Sequence, residues 1–371
     1  MKILIDGRLY GLENAGLGRY LVNLVSELSK IDSRNEYVIF LRKKYFNNLT
    51  LPENWKKVMT DFRHYSIKEQ ILLPIYIKKE KPDLVHFPHF NVPVFYEGKY
   101  VVTIHDMLMH EFAGLSATTL PAPLYFFKQL AYKFVFNRAV RNSKYILVPS
   151  GVVKSDIVKS YHFTSDKIFI TYEGVGKTIG FKEGEKIKEP YFFYAGNAYP
   201  HKNLNRLVEA VKLLNKKVDH KVILVIASAR NIFTQKLQKI TKNLDVDGFV
   251  KLAGFVPDDV LGQMYKNSLA FVFPSVSEGF GLPGLEAMSS GTLVLASNIP
   301  IFKEIYGENA IYFDPFDPSS ISDSMIKVLG MTKKERELRI AKSLKFIEKY
   351  SWGKMAKETL HVYETALMSN E

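Results

Sequence analysis

Two carboxylates, Glu278 and Glu286, stand eight positions apart in the segment Ser277-Glu-Gly-Phe-Gly-Leu-Pro-Gly-Leu-Glu286. An apolar stretch over residues 268–274 predicts a β-strand before this segment, and Pro283 has the backbone angle suited to the first turn of a helix. Glu278 would then lie at the carboxyl end of the strand, and Glu286 about one turn into the helix. The spacing therefore places both carboxylates around a strand-to-helix turn.

Between the two carboxylates, the backbone N–H groups of Phe280, Gly281 and Leu282 would point outward from the start of the helix. Such a terminus binds anions, because its N–H groups have no partner within the helix and the helix dipole favours negative charge. A phosphate site flanked by two carboxylates suits a ligand that carries phosphate and several hydroxyl groups. The segment predicts a nucleotide-sugar as that ligand.

Predicted strands and helices alternate along most of the chain. Short apolar segments such as Lys2–Asp6, Leu84–Phe87 and Tyr191–Ala195 are typical of buried strands, and amphipathic segments follow them. This alternation predicts an α/β protein with two doubly wound parallel sheets and a ligand cleft between them. The predicted parts are an N-terminal domain over 1–175, a polar glycine-rich linker over 176–190, a C-terminal domain over 191–350, and a helix over 351–371 that packs back on the N-terminal domain.

Composition excludes some classes of site and leaves others open. The 371 residues include no cysteine, which excludes disulfides and thiolate metal sites. The short apolar start does not predict a signal peptide, and no apolar run reaches the roughly 20 residues of a membrane span, so we expect a cytoplasmic protein. The net charge of +13 fits an anionic membrane, an anionic acceptor, nucleic acid, or an ordinary solvated surface.

Two clusters in the first half carry polar residues at predicted strand ends. Asp6-Gly-Arg8 precedes the glycine-rich loop Asn14-Ala-Gly-Leu-Gly18, which lacks the full spacing of a dinucleotide-binding fingerprint. His105 and Asp106 follow a buried strand, where a histidine either acts in catalysis or caps the strand. His86 and His89 do not predict a metal site, because no third ligand has suitable spacing.

Two further clusters lie in the second half. Lys202, in Tyr194-Ala-Gly-Asn-Ala-Tyr-Pro-His-Lys-Asn203, follows a tight turn where its ammonium group could meet a diphosphate. The alternative is a capped helix start with Asn203 as the N-cap. Ala253-Gly-Phe-Val256 ends a predicted strand and either contacts a nucleobase through its backbone or forms a plain turn.

In this order, the motifs resemble glycosyltransferase family 4, whose members are retaining enzymes with the two-domain GT-B fold. The resemblance covers nearly the full length and is most specific in the Glu-x7-Glu element at 278–286. It is strongest to bacterial and archaeal mannosyltransferases of polysaccharide assembly. It implies a hexose, with mannose favoured, moved from a nucleoside-diphosphate sugar, with GDP-mannose favoured, to a glycan or lipid-linked acceptor without a metal or other cofactor.

The resemblance also implies roles for individual residues. Glu286 would bind ribose hydroxyls and Glu278 sugar hydroxyls, while the backbone of Phe280, Gly281 and Leu282 would hold phosphate and sugar. Lys202 would neutralise the diphosphate, and His105 would face the transferred sugar. The remaining predicted contacts with the nucleotide-sugar are Gly16, Gly196, Asn197 and Val256.

One position departs from the family pattern. Asn197 stands where the family usually has Arg or Lys, so the diphosphate would depend on Lys202 alone or on another cation such as Arg230. The alternatives to a transferase are a nucleotide-sugar hydrolase or epimerase on the same fold, and a non-enzymatic nucleotide- or nucleic-acid-binding module. We favour the transferase, with no nucleic-acid partner.

Residues 124–141 interleave aromatic side chains and cations at helical spacing. Such a helix could rest on an anionic membrane surface with Lys128, Lys133, Arg138 and Arg141 outside. It could equally be an ordinary amphipathic helix packed on the first sheet, and both descriptions could hold for different faces. Peripheral membrane contact would suit a lipid-linked acceptor.

Overall fold

Two parallel β-sheets organise the computed structural model, which describes residues 1–111, 114, 121–162, 165–176, 182, 187–229 and 232–368. The chain divides into two units. The first unit comprises Met1–Gly174 and Ser351–Glu371, and the second unit comprises Val175–Tyr350. The prediction of two doubly wound parallel-sheet units is confirmed, while most of the predicted linker lies outside the described residues.

The first unit contains a sheet in the order β3-β2-β1-β4-β5-β6-β7, with every neighbouring pair parallel. Its strands are β1 (Lys2–Asp6), β2 (Glu36–Leu41), β3 (Trp55–Met59), β4 (Leu84–Phe87), β5 (Tyr100–Thr103), β6 (Tyr145–Val148) and β7 (Ile168–Ile170). Its helices are α1 (Ala15–Ile31), α2 (Lys43–Phe46), α3 (Ile67–Glu80), α4 (Leu108–Glu111), α5 (Ala122–Asn142), α6 (Gly151–Tyr161) and α14 (Trp352–Met368).

The second unit repeats the plan with a sheet in the order β10-β9-β8-β11-β12-β13. Its strands are β8 (Tyr191–Ala195), β9 (Ile223–Ala227), β10 (Val250–Gly254), β11 (Phe271–Phe273), β12 (Val294–Ser297) and β13 (Ala310–Phe313). Its helices are α7 (Leu204–Lys217), α8 (Ile232–Asn243), α9 (Asp258–Asn267), α10 (Leu282–Ser289), α11 (Pro300–Tyr306), α12 (Pro318–Leu329) and α13 (Lys333–Ile347).

The inner strands, such as β1, β4, β8 and β9, are almost wholly buried because helices cover both faces of each sheet. Burial on both faces is why these strands are continuous apolar runs in the sequence. In the first unit, α3, α5 and α6 bury apolar side chains on one face together with β1, β4, β5 and β6. The terminal helix α14 packs against α1. No helix in the described ranges has both the length and the apolar character needed to cross a bilayer.

The start of α1 differs from the prediction, because Gly16 and Gly18 belong to the first turns of the helix and not to a loop. Gly18 is required there, since an added Cβ would lie 1.8 Å from the carbonyl oxygen of Gly11. An added Cβ at Gly16 would meet nothing within 4 Å. Gly18 therefore allows the preceding chain to pack closely onto α1, whereas nothing in the structure requires a glycine at position 16.

Candidate active site

The strand order of the second unit reverses between β8 and β11, which lie side by side. Ligands of doubly wound sheets bind beyond the carboxyl ends of the strands at such a switch point. Gly196 and Asn197 directly follow β8, and the loop containing Glu278 follows β11. The topology thus brings the two motifs with the strongest predicted chemistry to one place.

A left-handed glycine begins α10 beside this switch point. Gly281 is the N-cap residue with φ 92°, and Pro283 occupies the first turn as predicted. The buried Tyr306 hydroxyl donates a 2.5 Å hydrogen bond to the carbonyl oxygen of Gly281, and an added Cβ at Gly281 would lie 2.6 Å from that hydroxyl. Tyr306 therefore holds the left-handed turn at the start of α10 in place.

Lys202 and Glu278 form an ion pair at the same place, with 2.5 Å between Nζ and Oε1. Their side chains are only 12% and 11% exposed. Lys202 also lies over the ring of Phe273, 5.7 Å from its centroid. Two groups that were predicted to bind different parts of a donor thus neutralise each other.

Asn203 fixes the position of Lys202 by a contact that the sequence did not reveal. It is the N-cap residue of α7, as one prediction had it, but its side chain does not cap the helix. Instead its Nδ2 donates to the carbonyl oxygens of Pro274 at 3.1 Å and Pro315 at 2.7 Å. The backbone N–H of Val276 also donates to the carbonyl oxygen of His201 at 2.9 Å. The turn that carries Lys202 is therefore fastened to the loop that carries Glu278.

The polar surroundings of the pair also shift neighbouring groups. The pKa of His201 is lowered to about 4, mainly by burial and secondly by the positive charge of Lys202. This imidazole is therefore neutral at physiological pH. The pKa values of the Tyr194 and Tyr306 hydroxyls are raised well above the ordinary tyrosine value, mainly by burial and secondly by the negative charge of Glu278. The ion pair is thus lined by neutral groups that can donate or accept hydrogen bonds.

Asn197 contributes to the shape of the loop after β8. Its backbone carbonyl accepts a 2.7 Å hydrogen bond from the Tyr194 hydroxyl, and its Oδ1 accepts one of 3.3 Å from the N–H of Tyr199. Gly196 has φ 149°, and its N–H donates to the carbonyl oxygen of Ala227 at 3.0 Å. The asparagine therefore stabilises its own turn, whereas Arg230, the alternative cation, lies outside the described residues.

Glu286 and Val256 occupy the positions expected from the predicted elements. Glu286 is buried on α10, in the second turn of that helix. Val256 is half-buried in the loop after β10, which is separated from β8 by β9. Val256 follows strand β10, and Glu286 lies on the helix that follows strand β11 of the same sheet. Their contacts with a ligand remain predictions.

In the first unit, His105 follows β5 with both ring nitrogens near acceptors. Nδ1 lies 3.3 Å from a carboxylate oxygen of Glu173, and Nε2 lies 3.0 Å from the carbonyl oxygen of Pro88. The ring of Tyr20 meets it edge-on with 4.8 Å between centroids. These contacts orient the imidazole, and its role toward a sugar remains a prediction.

His86 is fully buried and has structural partners at both ring nitrogens. Nδ1 lies 2.6 Å from the Tyr363 hydroxyl on α14, and Nε2 lies 2.8 Å from the Thr103 hydroxyl. Burial lowers the pKa of His86 to about 3, so the ring is neutral. Among the described residues, no three His, Asp or Glu side chains are grouped to hold a metal ion.

A buried ionic cluster lies at the switch point of the first unit, between β1 and β4. Arg8 donates to Asp6 at 2.6 Å and 2.7 Å and to Glu69 on α3 at 2.7 Å, and Asn91 donates to Glu69 at 2.7 Å. Burial opposes these charges, but the Arg8 charge outweighs it at Asp6, and a hydrogen bond with His64 followed by the Arg8 charge outweighs it at Glu69, so both pKa values are lowered. The two carboxylates in turn raise the pKa of Arg8. The sequence showed Asp6 and Arg8 together but gave no sign of Glu69, which is 61 positions away.

Comparison with known families assigns both halves of the chain. The model described as "Glycosyltransferase Family 4" matches residues 15–176, and the model described as "Glycosyl transferases group 1" matches residues 177–343. The chain belongs to the family 4 glycosyltransferases. It is therefore a transferase of sugars, and its two parallel-sheet units are those of the GT-B fold.

Relatives and solved structures agree with this assignment. The chain is 31% identical over 251 residues to the O-antigen chain mannosyltransferase RfbU of Salmonella typhimurium, covering 67% of this chain and 66% of that protein. It is 25% identical to O-antigen chain mannosyltransferase B of Escherichia coli, covering 98% and 100%. The structure of WaaG, a glycosyltransferase involved in lipopolysaccharide biosynthesis, shares the fold with a TM-score of 0.73 at 13% identity, covering 98% and 99%.

Proposed function

We propose that this glycosyltransferase moves mannose, with retention of configuration, from a nucleoside-diphosphate mannose to a hydroxyl group of a glycan or lipid-linked acceptor. The observation that carries the proposal is the Lys202–Glu278 ion pair beside the N-terminus of α10 at the switch point of the second unit. Cation, helix terminus and carboxylate match diphosphate and sugar hydroxyls. The names of the mannosyltransferase relatives support the choice of sugar.

Each group has a separate task in this proposal. Lys202 and the start of α10, at Phe280, Gly281 and Leu282, bind the diphosphate, and Glu278 accepts hydrogen bonds from the sugar. Glu286 binds the ribose, because a carboxylate can accept hydrogen bonds from two vicinal hydroxyls at once. Further contacts with the nucleotide-sugar come from Gly16, Gly196, Asn197 and the backbone at Val256, and His105 faces the transferred sugar.

Donor binding must separate the ion pair, since Lys202 is needed at the phosphates and Glu278 at the sugar. The cost is limited because each charge exchanges one partner for another in the same largely buried setting. A nucleoside diphosphate without a sugar would take Lys202 and leave Glu278 without a replacement. The complete donor therefore satisfies both groups, which favours it over the diphosphate product.

The proposed reaction is a displacement on one face of the sugar. The bond between the anomeric carbon and the phosphate oxygen breaks, and a bond to the acceptor oxygen forms on the same side. The departing phosphate oxygen takes the acceptor proton. Lys202 and the N-terminus of α10 stabilise the negative charge that develops on the leaving diphosphate, so we expect no metal or other cofactor to be required.

A peripheral position on the cytoplasmic face of a membrane completes the proposal. On α5, Lys128, Lys133 and Arg141 are exposed and Arg138 is half-buried, while Tyr125, Tyr132 and Phe136 pack inward. The inward face of α5 thus fits a helix packed on the first sheet, and the outward face fits a helix that rests on a membrane surface. An anionic membrane surface would bring the enzyme to a lipid-linked acceptor.

The test is a panel of GDP-, UDP- and ADP-sugars incubated with and without a mannose-terminated acceptor. We expect GDP release from GDP-mannose that depends on the acceptor and continues in the presence of a chelator. Release without acceptor would favour a hydrolase, and sugar interconversion without nucleotide release an epimerase. In Lys202→Ala, we expect nucleoside diphosphate affinity to fall by about ten- to hundredfold and nucleoside affinity to change little.

A further inference from the structure

The outward side of α3 carries a stripe of large apolar residues. Ile67, Ile71 and Ile75 are four positions apart and are 79%, 53% and 47% exposed. The buried residues of α3 are Glu69, Leu73 and Ile77, each two positions further along. Two positions correspond to a rotation of about 200°, so the isoleucines point away from the sheet.

Helix α5 has the same unusual character on its outward side. Five large apolar side chains are between 56% and 75% exposed: Leu124, Phe126, Phe127, Leu130 and Phe134. A helix that is apolar on both its inward and its outward side is normally covered on both. Exposed apolar surface of this extent marks a site of interaction with a protein or a membrane.

The two stripes belong to the same side of the first unit. The inward residues of α3 and α5 join a single apolar cluster on one face of the sheet. Phe95, which is 71% exposed, follows a loop tied to α3 by a 2.8 Å hydrogen bond from the N–H of Val94 to Gln70. The apolar residues of both helices therefore face outward from one side of the molecule.

The charges that accompany the stripes have one sign. Helix α5 has no acidic residue, and the acidic residues of α3 are Glu69, which is buried against Arg8, and Glu80, whose side chain is 12% exposed and paired with Lys56. The exposed charged residues of the two helices are Lys68, Lys78, Lys79, Lys128, Lys133 and Arg141. On α3 and α5 the exposed apolar side chains are thus accompanied only by exposed cations, although the loop with Phe95 also carries the exposed Glu97. Apolar side chains among cations are complementary to a surface of anionic headgroups over acyl chains.

We infer that α3 and α5 form one membrane-binding surface that rests on an anionic lipid bilayer. This surface deepens the membrane partner of the proposed function and rests on that proposal only in supposing a lipid-linked acceptor. A second copy of the chain is the less suitable occupant, because two such faces would place cations against cations. With two helices in contact instead of one, the first unit has a defined side toward the bilayer.

The test uses the full chain and vesicles of phosphatidylcholine with or without phosphatidylglycerol, separated by flotation. We expect wild type to bind the anionic vesicles and the triple variant Ile67→Gln, Ile71→Gln, Ile75→Gln to bind them at least tenfold more weakly. A matched control replaces Leu338 and Leu344 by Gln, because these are exposed leucines on α13 of the second unit. The control should bind like wild type.

Two results of these measurements on the α3 variant would overturn the inference. If the α3 variant bound vesicles as well as wild type, α3 would not be part of the surface. If light scattering showed that wild type is a dimer and the variant is a monomer, the face would serve self-association. Sugar transfer to a water-soluble acceptor is measured on the same samples and should be unchanged in the variant. Vesicle binding without any transfer would refute the proposed sugar transfer and leave this inference standing. Transfer without vesicle binding would refute this inference, together with the peripheral membrane position, and leave the proposed sugar transfer standing.

Discussion

The two switch points of the molecule have the same strand order around them but differ in how their charged side chains are paired and buried. In the first unit, Arg8 is held by Asp6 and Glu69 and is completely buried. In the second unit, Lys202 has a single carboxylate partner, Glu278, and both side chains are partly accessible. A buried cluster with several partners stabilises the structure, whereas a pair with one partner each is suited to exchange with a ligand.

The largest effect should follow from breaking the cluster of the first unit. Arg8→Leu leaves Asp6 and Glu69 as buried carboxylates without a cation, which costs about 3–5 kcal/mol of stability. Both tryptophans, Trp55 and Trp352, belong to the first unit, so their fluorescence during urea unfolding reports on that unit. We expect the midpoint of this transition to fall markedly.

A matched control for this prediction is Lys44→Ala. Lys44 pairs with Glu13 at 2.9 Å on the surface, where both side chains are well exposed. Removing an exposed pair should change stability far less than breaking a buried one, because solvent screens the two charges. If Arg8→Leu shifted the tryptophan transition no more than this control, the buried cluster would have no special role in stability.

The second largest effect should separate turnover from binding in the second unit. Glu278→Gln keeps the size of the side chain but removes the charge that we propose stabilises the sugar during transfer, so we expect kcat to fall by about 10²–10³. The same change releases Lys202 from its partner, so nucleoside diphosphate affinity should be retained or increased. Calorimetric titration with GDP and a transfer assay measure the two properties, and weaker GDP binding would contradict the exchange model.

Glu286→Ala should have an intermediate effect, and it should act mainly on nucleotide binding, whereas Glu278→Gln should act mainly on turnover. Loss of hydrogen bonds from the ribose to a charged group costs roughly 1.5–3 kcal/mol, or about ten- to hundredfold in affinity. Titration with GDP measures this loss, and far-UV circular dichroism controls for folding, because Glu286 lies in the second unit and both tryptophans lie in the first. Unchanged GDP affinity would show that Glu286 does not hold the ribose.

The sequence predicted what depends on local pattern and missed what depends on distant partners. Strand bounds such as Leu84–Phe87 and Tyr191–Ala195 were correct because fully buried strands are continuous apolar runs. Strands β3 and β13 and helices α2, α4, α6, α11, α12 and α13 were not predicted. Of these, β3 lies at the edge of its sheet with exposed lysine and methionine side chains, so its apolar pattern is weak.

The same division applies to the two switch points. The Glu-x7-Glu segment and Lys202 could be recognised because their chemistry lies in short motifs. The contacts that position them could not, since Tyr306 and Asn203 reach backbone carbonyls 25 and 71 positions away. A carbonyl group carries no sequence signal, so such contacts appear only once the fold is known.

The smallest effect, and the most informative about positioning, should come from Asn203. Its left-handed backbone, with φ 58°, and its side-chain hydrogen bonds are separate contributions. Two of these bonds are donated by Nδ2, and Oδ1 accepts a third from Arg206 at 2.9 Å. Asn203→Gly retains the backbone freedom and loses the hydrogen bonds, while Asn203→Ala loses both. Because a neutral hydrogen bond contributes about 1 kcal/mol, we expect Asn203→Gly to raise the donor KM about five- to tenfold, and Asn203→Ala somewhat more. A donor KM equal to that of wild type in both variants would mean that Lys202 is positioned without Asn203, and the hydrogen bond between Val276 and His201 would then be the contact that joins the two loops.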